Sequence, residues 1–194
     1  MMTARSHLQL TQPSAWLQRF APLMQELDGV VLDLACGSGR NSCYLNSLGL
    51  QVWALDRDMQ GFAQLQAAGI ETIRHDLETG DAGFDWPFAE SSLAAVIVCN
   101  YLHRPLFPQL LASLQDQGLL IYETFAAGNE LFGKPSNPAF LLQSGELLAQ
   151  MQSNPQVRMS VIAYENGYVD QPKPAMLQRI CARKTGKVSA LDKL

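Results

Sequence analysis

Val30-Val31-Leu32-Asp33-Leu34-Ala35-Cys36-Gly37-Ser38-Gly39-Arg40 is the stretch that decides the fold. Its valine- and leucine-rich first half predicts a buried β-strand, and the small residues that follow predict a loop. Residues 41–48 have apolar side chains at helical spacing, so the loop joins a strand end to a helix start. In open α/β sheets this junction is a nucleotide-binding site. Gly37 and Gly39 let backbone N–H groups approach a ligand closely, because glycine has no Cβ.

Two classes of cofactor compete for such a loop, and the spacing separates them. A dinucleotide fingerprint requires G-x-G-x-x-G, and Ser42 occupies the third glycine position. Asp33 also places negative charge at the strand end, which suits a cationic ligand better than a polyphosphate. A P-loop is excluded because no Gly-Lys-Ser/Thr follows the loop. The pattern favours a cofactor with a positive charge and leaves a dinucleotide-dependent oxidoreductase as the alternative.

Residues 33–39 resemble the first motif of the class I S-adenosylmethionine-dependent methyltransferases, an acid followed by x-G-x-G-x-G. Ala35 replaces the first glycine, as in small-molecule subgroups that include the tellurite-resistance and quinone-biosynthesis methyltransferases. The resemblance implies an α/β fold with a Rossmann-like, doubly wound, mostly parallel seven-stranded sheet and an antiparallel C-terminal edge. It also implies S-adenosyl-L-methionine as cofactor and S-adenosyl-L-homocysteine as product.

Acids recur at the ends of two further predicted strands. Asp56 follows an alternating stretch, where an acid can bind both ribose hydroxyls of a nucleoside. Asp76 follows the short strand 71–74, and in the resembled family an acid there bonds the adenine amino group. The expected cofactor-binding residues are Asp33 (near the cofactor ammonium), Ala35, Gly37, Gly39, Asp56, Arg57, Asp76, Leu77 and Asn100.

Residues 85–100 resemble the family's fourth motif, in which a Pro-Phe pair precedes a loop and a strand. The residues that follow this strand lie beside the expected position of the transferred methyl group. Both prolines of the Asp/Asn-Pro-Pro-Tyr arrangement, which grips the exocyclic amino group of a base, are missing. Methylation of a nucleobase amino group is therefore disfavoured.

Catalysis by such an enzyme is mainly positioning, because a sulfonium is already a good leaving group. If the acceptor must lose a proton, His103 is the first candidate for a base, since histidine titrates near neutral pH. Capping of the following helix is an equally weighted role for His103. Tyr101 is a second candidate, and the strand register leaves open whether Tyr122 or Glu123 faces the site.

Composition agrees with a small enzyme of one domain spanning residues 1–194. The formal net charge of −4 gives no basic footprint for nucleic acid. No apolar run reaches the ~18 residues of a membrane-spanning helix and no secretory pattern is seen, so we expect no membrane insertion and a cytoplasmic location. The cysteines show no metal-binding spacing, and no metal site is expected.

Two segments are expected to frame the substrate. Residues 1–28 form an N-terminal helical segment with a helix over 13–27, and residues 125–143 form a lid rich in glycine, proline and aromatic residues. The sequence thus predicts a methyltransferase with a small-molecule acceptor. The alternatives are an RNA or protein methyltransferase, an NAD(P)-binding oxidoreductase and a non-catalytic binding module, and the oligomeric state stays open.

Overall fold

The structure is a computed structural model, and it describes residues 11–79 and 84–186. These residues form one mixed β-sheet with helices packed against it. Its strands are β1 (Val30–Leu34), β2 (Gln51–Asp56), β3 (Glu71–Arg74), β4 (Leu93–Cys99), β5 (Leu114–Phe125), β6 (Arg158–Val169) and β7 (Ala175–Thr185). The α-helices are α1 (Ala15–Phe20), α2 (Arg40–Ser47), α3 (Phe62–Ala67), α4 (Phe107–Ser113) and α5 (Glu146–Gln150). Short 3-10 turns occupy Ala21–Met24, Arg104–Leu106, Asn129–Leu131 and Pro138–Phe140.

The strand order is β3-β2-β1-β4-β5-β7-β6. The first five strands in this order pair in parallel, and β7 runs antiparallel to both β5 and β6. The predicted fold class, a mostly parallel Rossmann-like sheet with an antiparallel edge, is confirmed. Chain order reverses between β1 and β4, and in open α/β sheets ligands bind in the crevice outside the strand ends at this point.

Both faces of the sheet are covered, which explains why most side chains of its central strands are apolar. Residues of β1 alternate between two cores: Leu32 and Leu34 pack with α4, and Val31 packs with α1 and α2. Asp33 shares the face of Val31 because strand side chains alternate. The carboxyl group of Asp33 is therefore directed towards the helix that follows the glycine loop.

The first helix is shorter than its apolar spacing predicts. A helix over 13–27 is expected, whereas α1 ends at Phe20 and the chain continues as the 3-10 turn Ala21–Met24. Pro22 lacks the N–H group that would continue the α-helical ladder. Residues 1–10 of the predicted N-terminal segment lie outside the described residues. Among the described residues, no helix has the length and apolar character needed to cross a membrane.

Candidate active site

Three residues of the glycine loop have a positive φ, a backbone conformation that residues with a Cβ rarely adopt. Gly39 caps α2 with φ of +79°, and a Cβ placed there would lie 2.4 Å from Cδ2 of the buried Leu65. Gly37 also has a positive φ, but its missing Cβ would meet open space. Ala35, at the position of the family's first glycine, has φ of +54° in the left-handed region. Glycine fits this position better than alanine, and the loop carries this strain.

Asp33 lies beneath the loop instead of facing a ligand. Its side chain is 1 % exposed, and its Oδ2 accepts a hydrogen bond of 2.5 Å from the hydroxyl of Ser42 in α2. Burial raises the pKa of Asp33 to about 6, against the opposing effects of Ser42 and the Arg40 charge. Asp33 lines neither of the two cavities described below. A direct contact with a cofactor ammonium stays a prediction, and the structure shows a role in joining β1 to α2.

The raised pKa of Asp33 makes stability depend on pH. Because the folded state favours the neutral carboxyl, we expect the free energy of unfolding to fall as pH rises from about 4 to about 6, by up to about 3 kcal/mol. Asp33→Asn cannot ionise and should lose this dependence. Urea unfolding of both proteins at several pH values measures the difference. Parallel pH profiles for the two proteins would show that Asp33 does not titrate as described.

The acids of β2 and β3 border one cavity of about 390 Å³. Asp56 accepts hydrogen bonds from the backbone N–H groups of Gly37, at 2.8 Å, and Asp58, at 2.9 Å. Asp76 accepts from the N–H of Glu78 at 3.0 Å. The expected cofactor residues that line this smaller cavity are Ala35, Asp56, Arg57, Asp76, Leu77 and Asn100. Carboxylates from neighbouring strand ends thus meet beside apolar side chains, as the sequence predicts.

A second cavity, of about 850 Å³, adjoins the first. The two share Ala35, Asn100 and Phe125, at the ends of β1, β4 and β5. Gly37 and the start of α2 line the larger cavity, together with residues from 11–18 and from the β6–β7 connection. The sequence predicts that residues 125–143 cover the substrate site. The contribution of the β6–β7 connection was missed, because no local pattern in that turn signals it.

A buried carboxylate, Glu123, lies at the end of β5 in the larger cavity. Its Oε1 accepts a hydrogen bond of 2.9 Å from the Ser14 hydroxyl, and its Oε2 lies 2.7 Å from Nε of Arg179. The Ser14 N–H also donates to Oδ1 of Asn41 at 3.0 Å. These contacts fasten the N-terminal segment to both β5 and α2. The register resolves the open alternative, since Glu123 faces the cavity and Tyr122 stacks on Phe107 in the core.

The structure does not bring the predicted catalytic residues to the larger cavity. His103 lines a separate cavity of about 10 Å³, between β4, β5 and α4. Tyr101 lines the smaller cavity, and burial raises the pKa of its phenol well above the usual range, so it stays protonated near neutral pH. Acid–base roles for both residues stay predictions that this placement does not favour.

Residues 125–143 are held in place at their base. The Arg104 guanidinium donates to the carbonyls of Ala139, at 2.7 Å, and Leu141, at 2.9 Å, and pairs with both carboxylate oxygens of Glu146. The segment contributes Phe125, Pro135 and Phe140 to the smaller cavity. The role of this segment as a lid stays a prediction, and the segment borders mainly the smaller cavity.

Sequence comparison places this geometry in a family. Residues 31–117 match the family model of a methyltransferase domain. Over 92 residues the chain is 29 % identical to the probable S-adenosyl-L-methionine-dependent methyltransferase TehB of Haemophilus influenzae, covering 44 % of this chain and 31 % of that protein. Residues 31–117 are thus similar to methyltransferase domains, and the relative matched here is named as S-adenosylmethionine-dependent. The putative methyltransferase YqeM of Bacillus subtilis is 28 % identical over 136 residues, covering 63 % of this chain and 51 % of YqeM. The chain spans about a third to a half of the length of these relatives.

Solved methyltransferase structures share the fold. Burkholderia thailandensis 1,6-didemethyltoxoflavin-N1-methyltransferase, with 1,6-didemethyltoxoflavin and S-adenosylhomocysteine bound, matches with a TM-score of 0.63 at 18 % identity, over 89 % of this chain and 79 % of that one. TehB of Haemophilus influenzae matches with a TM-score of 0.65 at 16 % identity, over 87 % and 62 %. Both matches confirm the fold.

Proposed function

We propose that this chain is an S-adenosylmethionine-dependent methyltransferase that binds the adenosine half of the cofactor in the smaller cavity and the methionine end beside the glycine loop. It methylates a small-molecule acceptor held in the rest of the larger cavity. One observation carries the proposal. The acidic residues at the ends of β2 and β3 border the smaller cavity, which adjoins, through Ala35 and Asn100, a larger cavity lined by the glycine loop. A donor and an acceptor in these two cavities would meet at the end of β4, at the reversal of strand order.

The smaller cavity fits the adenosine half of the cofactor. Each carboxylate oxygen has more than one lone pair, so Asp56 can hold its backbone contacts and still accept from ribose hydroxyls. Asp76 is placed to accept from an adenine amino group, and Leu77 offers a buried apolar surface to the ring. Arg40, at the start of α2, is placed for the cofactor carboxylate.

Methyl transfer then depends on how the protein positions the acceptor relative to the cofactor. When bound, the cofactor supplies a methyl group on a sulfonium leaving group. Ser14 and Arg179 already engage both oxygens of Glu123, so this carboxylate is arranged to orient an acceptor. Residues 11–15 and the β6–β7 connection form part of the wall of this cavity.

A small acceptor fits the larger cavity better than a macromolecule does. Its walls come from several segments that converge on a concave space, which is typical of small-molecule sites. The net charge of −4 provides no general attraction for RNA. The methyltransferase of similar fold from Burkholderia thailandensis binds the small molecule 1,6-didemethyltoxoflavin, and this supports the same class of acceptor here.

Calorimetric titration tests the cofactor half of the proposal. We expect saturable one-site binding of S-adenosylhomocysteine and no heat from NAD, because the glycine loop lacks the dinucleotide fingerprint. Incubation with methyl-labelled S-adenosylmethionine and a cell extract tests the acceptor half, with label expected in the low-molecular-mass fraction. Saturable NAD binding without S-adenosylhomocysteine binding would overturn the cofactor assignment, and label confined to RNA or protein would overturn the acceptor class.

A further inference from the structure

The two cavities have opposite charge. The smaller one is lined by the carboxylates of Asp56, Asp76 and Glu78 and by the guanidinium of Arg57, a balance of −2 with histidine neutral. The larger one is lined by Arg40, Lys173 and Arg179 and by the single carboxylate of Glu123, a balance of +2. The chain as a whole is acidic, so the positive cavity is a local feature that the net charge does not predict.

Two of the four charges in the larger cavity cancel each other. Arg179 pairs with Glu123 at 2.7 Å, and its Nη1 also lies 3.5 Å from Glu165 of β6. The Arg179 side chain is only 15 % exposed, which keeps this pairing close to the sheet. Arg179 is thus neutralised by its own protein, and the positive charge of the cavity belongs to the other two cations.

Arg40 and Lys173 keep their charge available. Within residues 11–79 and 84–186, neither of them forms an ion pair. Arg40 donates from Nη1 to the backbone carbonyl of Gln12, and it adjoins the glycine loop on the cofactor side. Lys173 lies on the β6–β7 connection, with Nζ 5.6 Å from the ring centre of Phe125. Phe125 borders both cavities, so the ammonium of Lys173 lies near the boundary between them.

We propose that the acceptor is an anion, whose carboxylate or similar oxyanion is bound by Lys173. This inference rests on the proposed function. The cofactor carries its own carboxylate, which Arg40 beside the glycine loop is placed to neutralise, and Lys173 then remains as the unmatched charge of the cavity. An anionic acceptor balances this charge and is attracted by it during encounter, whereas a cationic acceptor is repelled. The aromatic ring under the ammonium restricts where that anion can sit.

Matched pairs of aromatic carboxylates and their amides test this proposal, because each pair differs mainly in charge. The probes are 4-hydroxybenzoate and 2-naphthoate with the corresponding amides, titrated into protein saturated with S-adenosylhomocysteine. We expect each carboxylate to bind about five- to tenfold more tightly than its amide. Lys173→Gln should bring the ratio close to one, and Lys173→Arg should retain it. Lys134→Gln serves as control, since Lys134 is an exposed lysine that lines neither cavity.

Each result has one meaning. If the unmodified protein does not bind S-adenosylhomocysteine, the proposed function is overturned. Normal S-adenosylhomocysteine binding with equal affinity for acids and amides, or with no carboxylate binding, would overturn only the anionic acceptor. A preference for carboxylates that survives Lys173→Gln would overturn the assignment of Lys173.

Discussion

Gly39→Ala is expected to lower the free energy of unfolding by about 2–5 kcal/mol. A left-handed backbone costs a residue with a Cβ roughly 1–2 kcal/mol, and overpacking a core costs roughly 1–3 kcal/mol. Both apply at Gly39, where φ is +79° and the new Cβ would lie 2.4 Å from the buried Leu65 side chain. Leu65 is fully buried, so it has little room to move away. Urea unfolding monitored by circular dichroism measures the change.

Gly49→Ala is the matched control for this substitution. Gly49 has φ of +83°, but its added Cβ would meet nothing within 4 Å. We expect it to lose only the backbone contribution, roughly 1–2 kcal/mol. Equal destabilisation by the two substitutions would show that Gly39 is required for its backbone conformation and not for the close approach of α3.

Asp56→Ala is expected to weaken S-adenosylhomocysteine binding by about 1.5–3 kcal/mol, or roughly 10- to 150-fold. This is the range for losing a hydrogen bond to a charged group, and the carboxylate also holds the N–H of Gly37 in the loop. Calorimetric titration measures the dissociation constant. The effect combines a lost ligand contact with a loosened loop. Asp56→Asn keeps the shape of the side chain without its charge, so its dissociation constant should lie between those of the unmodified protein and Asp56→Ala.

Asp58→Ala provides the control for Asp56. Asp58 is an exposed carboxylate two residues away that accepts from the N–H of Gln60 and lines neither cavity. We expect its dissociation constant to stay within about twofold of the unmodified protein. If Asp56→Ala changed affinity no more than Asp58→Ala does, Asp56 would not bind the cofactor.

Local patterns in the sequence predicted which acidic side chains lie together at one edge of the sheet. Apolar strands ending in Asp56 and Asp76 bring these acids together, because parallel neighbours end at the same edge of a sheet. The orientation of Asp33 is also in the sequence, since side-chain alternation puts it on the face of Val31, against Ser42. That signal indicates a buried carboxyl, whereas the strand-end pattern alone suggested a ligand contact.

The larger cavity depends on contacts between distant segments, which sequence periodicity cannot predict. Ser14 and Glu123 meet across more than a hundred residues, and Arg179 reaches them from a different strand. The antiparallel register that places Glu123 opposite Arg179 is a property of the folded edge. The chemistry of histidine and the position after β4 make His103 a candidate base in the sequence. In the structure the turn that begins at Arg104 places His103 in a small cavity beside α4.

A crystal structure of the protein with S-adenosylhomocysteine tests the central claim most directly. We expect the adenosine in the smaller cavity, with the ribose hydroxyls on Asp56 and the adenine amino group near Asp76, and the sulfur directed past Asn100 towards the larger cavity. Adenosine bound elsewhere, with both carboxylates free of it, would contradict the assignment of these strand ends as the cofactor site.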